Sequence, residues 1–353
     1  MKALEEEAIQ LLQKLISIES FSKTEDKTAD AIEEFLMEKG IITYRYLNNV
    51  WAGNKYFDGT KQTLLLNSHH DTVKPNKQYS RDPFAPVIEE GKLFGLGSND
   101  AGGPLVSLLA CFLHFHDRSD LHFNLIYAAT AEEEISGRNG VEALLPKLGT
   151  IHCGIVGEPT KMEIAIAEKG LLVIDCVTHG KPGHAARDEG ENAIYLAMKD
   201  IEWFRTYQFP KVSESLGPVK MTVSMISAGI QHNIVPDTCS FTVDIRTTDV
   251  YSNAEALAVI EQHVTCSVQA RSVRLNASSI HLDHPLVRAG IALNKNLYGS
   301  PTTSDQAVMT FPTIKMGPGD SARSHSADEF IYVSEIEEGI ETYIQLLNKF
   351  NTL

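Results

Sequence analysis

Residues 63–71, TLLLNSHHD, run from an unbroken apolar stretch straight into two histidines and an aspartate. The same texture recurs at 123–134, FNLIYAATAEEE, and at 151–158, IHCGIVGE, with PLVSLLACFLHF at 104–115 between the first two. Strands apolar on both faces, separated by a helix-length apolar segment, predict a largely parallel sheet covered by helices. In such open α/β sheets the loops beyond the carboxyl ends of the strands converge, so polar groups far apart in sequence meet in space. The groups that follow apolar runs here are His69, Asp100 in GLGSND, Glu133 and Glu134 in AATAEEE, Glu158 in GIVGEPT, and His325 in SARSHSADE.

Working outward, Leu4, Ala8, Leu11, Leu12, Leu15 and Ile18 recur at helical spacing, and residues 28–38 repeat the pattern before Gly40 stops it. From Leu171 the texture changes. Strand LLVIDCVTH, helix ENAIYLAMKDIEWFRTY, strands VKMTVSMISAG and CSFTVDIRTT, helix NAEALAVIEQHVT and strand SVRLNASSI follow one another. That order, βαββαβ, is the ferredoxin-like split unit, a small α+β sandwich. After His284-Pro285 the first pattern resumes through IKMGPG to a final helix at 334–349. A chain of 353 residues exceeds what one core usually serves. The expectation is a discontinuous domain, 1–170 and 283–353, interrupted by an inserted domain, 171–282, whose ends lie close together.

The formal net charge of −15 repels phosphate backbones and anionic lipid heads, which argues against nucleic-acid and membrane-surface partners and suits a site that concentrates cations. No apolar run approaches the ~20 residues needed to cross a bilayer, and the first residues are acidic and amphipathic, so the expected location is the cytoplasm. Cys111, Cys153, Cys176, Cys239 and Cys266 are scattered and never paired as CxxC. They read as buried thiols, neither disulfides nor zinc ligands.

Five nitrogen and oxygen donors with one spare carboxylate can hold two divalent metals and activate a water between them. His69 and Asp71 lie at i and i+2 after a buried strand, so both face one way, and Asp71 is placed to orient the imidazole or to bind beside it. His70 points to the other face. Asp100 alone reads as a helix N-cap before Ala101; with the others its two oxygens could bridge two metals. GLGSNDAGG falls short of a dinucleotide loop, since the third glycine of G-x-G-x-x-G is Asp100, whose charge would repel a pyrophosphate. Among Glu132, Glu133 and Glu134, one carboxylate could bind metal while its neighbour shuttles protons; a solvated acidic loop is the plain alternative. GxSxG, GK[ST] and HExxH are all missing, which removes serine-hydrolase, P-loop and zincin chemistry.

Taken in order, SHHDTV, GLGSNDAGG, AEEEISG, VGEPT, GKPGHAA, NIVPD, DIRT and RSHSADE resemble the two-domain zinc aminoacylase and carboxypeptidase family over nearly the whole chain. That family includes acetylornithine deacetylase, succinyl-diaminopimelate desuccinylase, glutamate carboxypeptidase and several di- and tripeptidases. The resemblance implies that His69 and Glu158 hold one metal, Glu134 and His325 the other, and Asp100 bridges. It makes Glu133 the general base and Asp71 the group that orients His69. It also implies that His184 reaches a partner subunit's active site to stabilise an oxyanion, and that Asn233 and Arg246 hold substrate, the arginine by its carboxylate. The implied cofactor is a pair of zinc ions, with cobalt or manganese as substitutes, and the implied assembly is a homodimer through the inserted domain. Leu96 and Gly102 stand where the family often has Arg and Lys, and Glu132 stands for its usual Asp. No ligand is lost by these changes. The expected activity is deacylation of an N-acetyl or N-succinyl amino acid of the ornithine or citrulline type, as in arginine biosynthesis. A di- or tripeptidase or carboxypeptidase, a succinyl-diaminopimelate desuccinylase, and a non-catalytic metal-binding dimer are the alternatives.

Overall fold

The computed structural model describes residues 1–187 and 189–353. The chain divides into two compact units: Met1–Ile166 with Ser279–Tyr298 and Ser304–Leu353, and Ala167–Ser278 with Gly299–Thr303.

In the first unit the large sheet is built on β1 (Thr43–Tyr46), β2 (Asn49–Gly53), β3 (Gln62–His69), β4 (Phe123–Thr130), β5 (Cys153–Val156) and β6 (Thr313–Lys315), in the spatial order β1-β2-β4-β3-β5-β6. The β3–β4, β3–β5 and β5–β6 pairs are parallel, and the outer β1–β2–β4 pairs are antiparallel. Every residue of β4 and β5 is buried, which is why both read as continuous apolar runs. The helices α1 (Lys2–Ile16), α2 (Asp26–Glu38), α3 (Gly103–His116) and α4 (Val333–Phe350) cover it. Leu11, Leu12 and Leu15 of α1, Leu108, Phe112 and Phe115 of α3, and Ile340 and Leu347 of α4 join one core with Leu64 and Leu66 of β3. Helix α3 is buried along nearly its whole length, so its hydrophobicity is continuous rather than striped.

The second unit has a four-stranded antiparallel sheet in the order Lys220–Ala228, Thr238–Arg246, Leu172–His179, Ser267–Ala270. With helices Ala193–Thr206 and Asn253–Glu261 this is the ferredoxin-like arrangement, first strand central and second strand at an edge. Its last strand is Ser267–Ala270, not the 272–280 run that the sequence suggests. Residues 267–270 alternate in burial against the first strand of this unit, whereas Ser278–Ser279 is a two-residue strand of the large sheet. All five cysteines are free and buried. Among the described residues no helix is long and apolar enough to cross a membrane.

Candidate metal centre

The parallel strands deliver their donors to one end. His69 is the last residue of β3, the turn Glu133–Ile135 follows β4, and Glu158 lies two residues beyond β5. Asp100 lies in a wide turn, Ser98–Gly102, that runs into α3; its backbone is extended and the helix takes Gly102 as N-cap, so its carboxylate makes no cap bond. His325 adopts a left-handed conformation (φ +59°) just beyond the short turn Ser321–Arg323.

These loops bring the six donors together. His69 is 1% exposed, and its Nε2 lies 3.4 Å from Asp100 Oδ1 and 3.8 Å from both Glu133 Oε2 and Glu158 Oε1. Across the site, His325 Nε2 is 3.0 Å from Glu134 Oε2 and 3.6 Å from Asp100 Oδ2. Asp100 therefore faces one histidine with each oxygen, the geometry of a bridge. The set fits a pair of divalent cations on two counts. The Nε2 of His69 is buried with no hydrogen-bond partner among the described residues, a cost that a metal bond removes. The ligand atoms of His69, Asp100 and Glu134, and of His69, Glu133 and Glu158, each lie within 4.8 Å of one another.

The electrostatics agree. Burial pushes Glu133 well above the usual carboxylate range, with Glu158, Asp305 and Glu134 adding repulsion and His69 opposing it. Burial, then the charge of Asp100, raises Glu158 to about 8, while His69 and the buried Lys315 draw it down. Burial raises Glu134 as well. Burial opposes charge on His69, yet Glu133, Asp100, Asp71 and Glu158 hold it well above 6.5, and the bond to Glu134 raises His325 to about 9. Carboxylates packed this closely repel one another, and divalent ions relieve that repulsion.

Asp71 is buried, but His69 Nδ1 bonds its backbone carbonyl at 3.0 Å, and the carboxylate stands 3.5 Å away. The carboxylate instead accepts from Ser22 Oγ at 2.6 Å and from the N–H groups of Glu133 and Glu134 at 3.0 and 3.2 Å. One residue thus fixes the imidazole through its main chain and the glutamate turn through its side chain. His70 spends both ring nitrogens on Thr28 Oγ1 and the Asn48 carbonyl, and burial pushes its pKa down to about 4.

Two acids near the centre are not evident from the sequence. Asp305 Oδ2 accepts from Asn67 Nδ2 and Thr130 Oγ1, each at 2.8 Å, and burial raises its pKa to about 6. Glu329 Oε1 accepts from the N–H groups of Asn99 and Asp100, each at 2.9 Å. The sequence signal for Glu329 is its place four residues after His325, at the end of the stretch SHSADE.

In the second unit, His184 is exposed and its Nδ1 accepts from the Ala186 N–H at 3.1 Å, so the neutral ring carries its proton on Nε2. Asn233 Oδ1 is buried and has no hydrogen-bond partner among the described residues. Arg246 grips Asp244 in two-point fashion, Nε–Oδ1 2.8 Å and Nη2–Oδ2 3.0 Å, and its Nη1 lies 3.4 Å from Thr303 Oγ1.

Residues 65–349 match peptidase family M20/M25/M40. The chain belongs to that family. Its fold is similar to that of a tripeptidase from Staphylococcus aureus (17% identity, 99% of each chain covered, TM-score 0.80). It is also similar to an M20 family metallo-carboxypeptidase from Sulfolobus solfataricus (16% identity, 98% and 99% covered, TM-score 0.78) and to aminopeptidase PepT from Bacillus cereus (18% identity, 98% of each covered, TM-score 0.78). This family member is thus a metal-dependent hydrolase with a site for two divalent ions.

Proposed function

We propose that this M20/M25/M40 member hydrolyses the amide of a small N-acyl amino acid, acetyl or succinyl on an amine of the ornithine or citrulline type. The observation that carries the reading is the carboxylate left over at the centre. Asp100, Glu134 and Glu158 suffice with the two histidines for two metals, and Glu133, half-buried 3.8 Å from His69 Nε2, remains for proton transfer. The nitrogen and oxygen donors suit zinc. Held by His69, Asp100, Glu134, Glu158 and His325, two divalent ions would supply Lewis-acid chemistry, acidifying water and polarising the scissile carbonyl.

Glu133 takes the proton that the attacking water gives up as its oxygen joins the carbonyl carbon. It then hands that proton to the nitrogen as the C–N bond breaks, leaving a carboxylic acid and an amine, and the acid's proton passes to the amine to give carboxylate and ammonium. Asp71 holds the Glu133 and Glu134 N–H groups, so both side chains keep their directions. We assign oxyanion stabilisation to the Nε2–H of His184, supplied within a homodimer, and capture of the substrate carboxylate to Arg246 with Asn233. Arg246 already binds one carboxylate, that of Asp244, in the two-point geometry this role requires.

A second reading is a di- or tripeptidase. A short chain with one small inserted unit suits a deacylase, but the tripeptidase and PepT chains are matched over 98–99% of their lengths, so length does not separate the two. A hydrolysis panel of N-acetyl and N-succinyl amino acids, dipeptides and tripeptides, with and without chelator, decides. Turnover confined to peptides overturns the deacylase reading, and turnover that survives chelation overturns both. Running the panel on Arg246→Ala tests that residue: an equal rise in KM for substrates with and without a free carboxylate removes its assigned role.

A further inference from the structure

The segment that carries His325 also grips the loop that carries Asp100. Glu329, 2% exposed, places Oε1 on the Asn99 and Asp100 N–H groups at 2.9 Å each and Oε2 on the Gly97 N–H at 3.2 Å. Its own carbonyl accepts from the Gly95 N–H at 3.0 Å. On the other side of His325, the Asn99 side chain pairs with the Asp320 main chain, accepting from its N–H at 2.9 Å and donating to its carbonyl at 3.1 Å. The loop 95–100 is therefore clipped to 320–329 at both ends of the stretch that holds His325. Neighbouring Asp328 faces elsewhere, onto Ser80 and the Arg81 N–H.

We propose that Glu329 is a positioning residue that couples the bridging carboxylate Asp100 to His325, and so sets affinity for the ion held between Glu134 and His325. Three N–H groups converge on one carboxyl group, Oε1 taking two and Oε2 one, and an amide offers only one oxygen to accept them. A glutamine would turn an NH₂ toward an N–H and lose at least one bond. Both Asp100 and His325 would then relax, and those are two of the three ligands on that side. The ion between His69 and Glu158 keeps two ligands held at, or just beyond, the ends of separate strands and is disturbed only through the bridge. Outer-shell partners of this kind are worth about 10- to 100-fold in metal affinity.

The inference rests on the assignment of His69, Asp100, Glu134, Glu158 and His325 as ligands, and metal titration separates the two. Metal-free wild-type protein, Glu329→Gln and the control Asp328→Asn are titrated with zinc against a competing chelator, and bound metal is counted by mass spectrometry. Wild type and Asp328→Asn should each take two ions. Glu329→Gln should keep one tight ion, with the other weakened by about 10- to 100-fold, and amide exchange at Gly97–Asp100 should speed up. Wild type taking fewer than two ions overturns the ligand assignment and the inference with it. Two ions at unchanged affinity in Glu329→Gln, or equal weakening of both, overturns the inference alone. Glu329→Asp, which keeps both carboxyl oxygens one methylene short, should show the same selective loss to a smaller degree. If Glu329→Gln does not fold, the titration of Glu329→Asp decides: one weakened ion supports the coupling, and two ions at wild-type affinity overturn it.

Discussion

At the residue scale, Glu133 and Glu134 are adjacent carboxylates with different chemistry. Glu134 pairs with His325 at 3.0 Å, while Glu133 lies 3.8 Å from His69 Nε2 and among carboxylates that burial pushes upward. Glu133→Gln should cut turnover by about 10²- to 10⁴-fold, the range for a lost general base, with two ions still bound. Loss of an ion from that variant would mean that the two glutamates are assigned the wrong way round. Glu25 supplies a test away from the ligands. It is fully buried, neither carboxylate oxygen has a hydrogen-bond partner among the described residues, and burial raises its pKa from 4.5 to about 7. The folded chain therefore holds this proton more tightly than the unfolded chain does. Stability falls as pH rises from 4.5 towards 7, by up to about 3 kcal/mol, and is level above that. In metal-free protein, urea unfolding of Glu25→Gln across this window should lack that component. A slope equal to wild type would show that Glu25 titrates normally.

At the element scale, His69, Glu133, Glu134 and Glu158 were legible because they lie at or just past the ends of apolar strands, and parallel strands put such ends together. The acids that hold them were not. Asp305 follows Ser304 in SDQAV and looks like part of a helix cap, and Ser304 does cap the turn Asp305–Val308. Its real partners, Asn67 at the end of β3 and Thr130 at the end of β4, are 238 and 175 residues away. Contacts of that range leave no local pattern to read. Asp305 ties the ends of the two strands from which His69 and Glu133 emerge, so Asp305→Ala strands the buried Asn67 amide at about 1–3 kcal/mol, while Thr130 Oγ1 keeps the Ser68 carbonyl, 3.2 Å away, as acceptor. Chemical unfolding should show a loss of about 1–3 kcal/mol, and the effect should fall on kcat rather than on KM, since the strand ends aim the base rather than bind substrate. A loss under about 1 kcal/mol would show that the strand ends keep their registry without this clamp. The last strand of the inserted unit was misplaced for a related reason. SVRLNASSI alternates as convincingly as the true strand, and only pairing with Leu172–His179 selects Ser267–Ala270.

At the scale of the whole molecule, the open edge of the second unit bears on the assembly. Strand Lys220–Ala228 pairs on one side with Thr238–Arg246, and the sheet order places it at the edge. It carries Met225 at 64% and Ile226 at 59% exposure, with Ile230 at 90% just beyond, and helix Ala193–Thr206 adds Tyr195 at 67% and Met198 at 58%. Unpaired strand edges with apolar side chains invite pairing, and proteins that stay monomeric blunt them with charge. Two copies meeting edge to edge would satisfy both the backbone and the apolar surface, which supports the proposed homodimer. Sedimentation should find a dimer for the wild type and a monomer for Met225→Lys with Ile226→Lys, since like charges would then face each other across the two-fold axis. A monomeric wild type would remove this interface. If His184 acts in trans, that monomer should lose kcat with both ions retained. Mixed His184→Ala and Glu133→Gln subunits, each inactive alone, should then regain activity as heterodimers, because one of the two centres combines an intact base with an intact partner histidine. A monomeric double-lysine variant with undiminished kcat, or no recovery on mixing, would place oxyanion stabilisation within one chain.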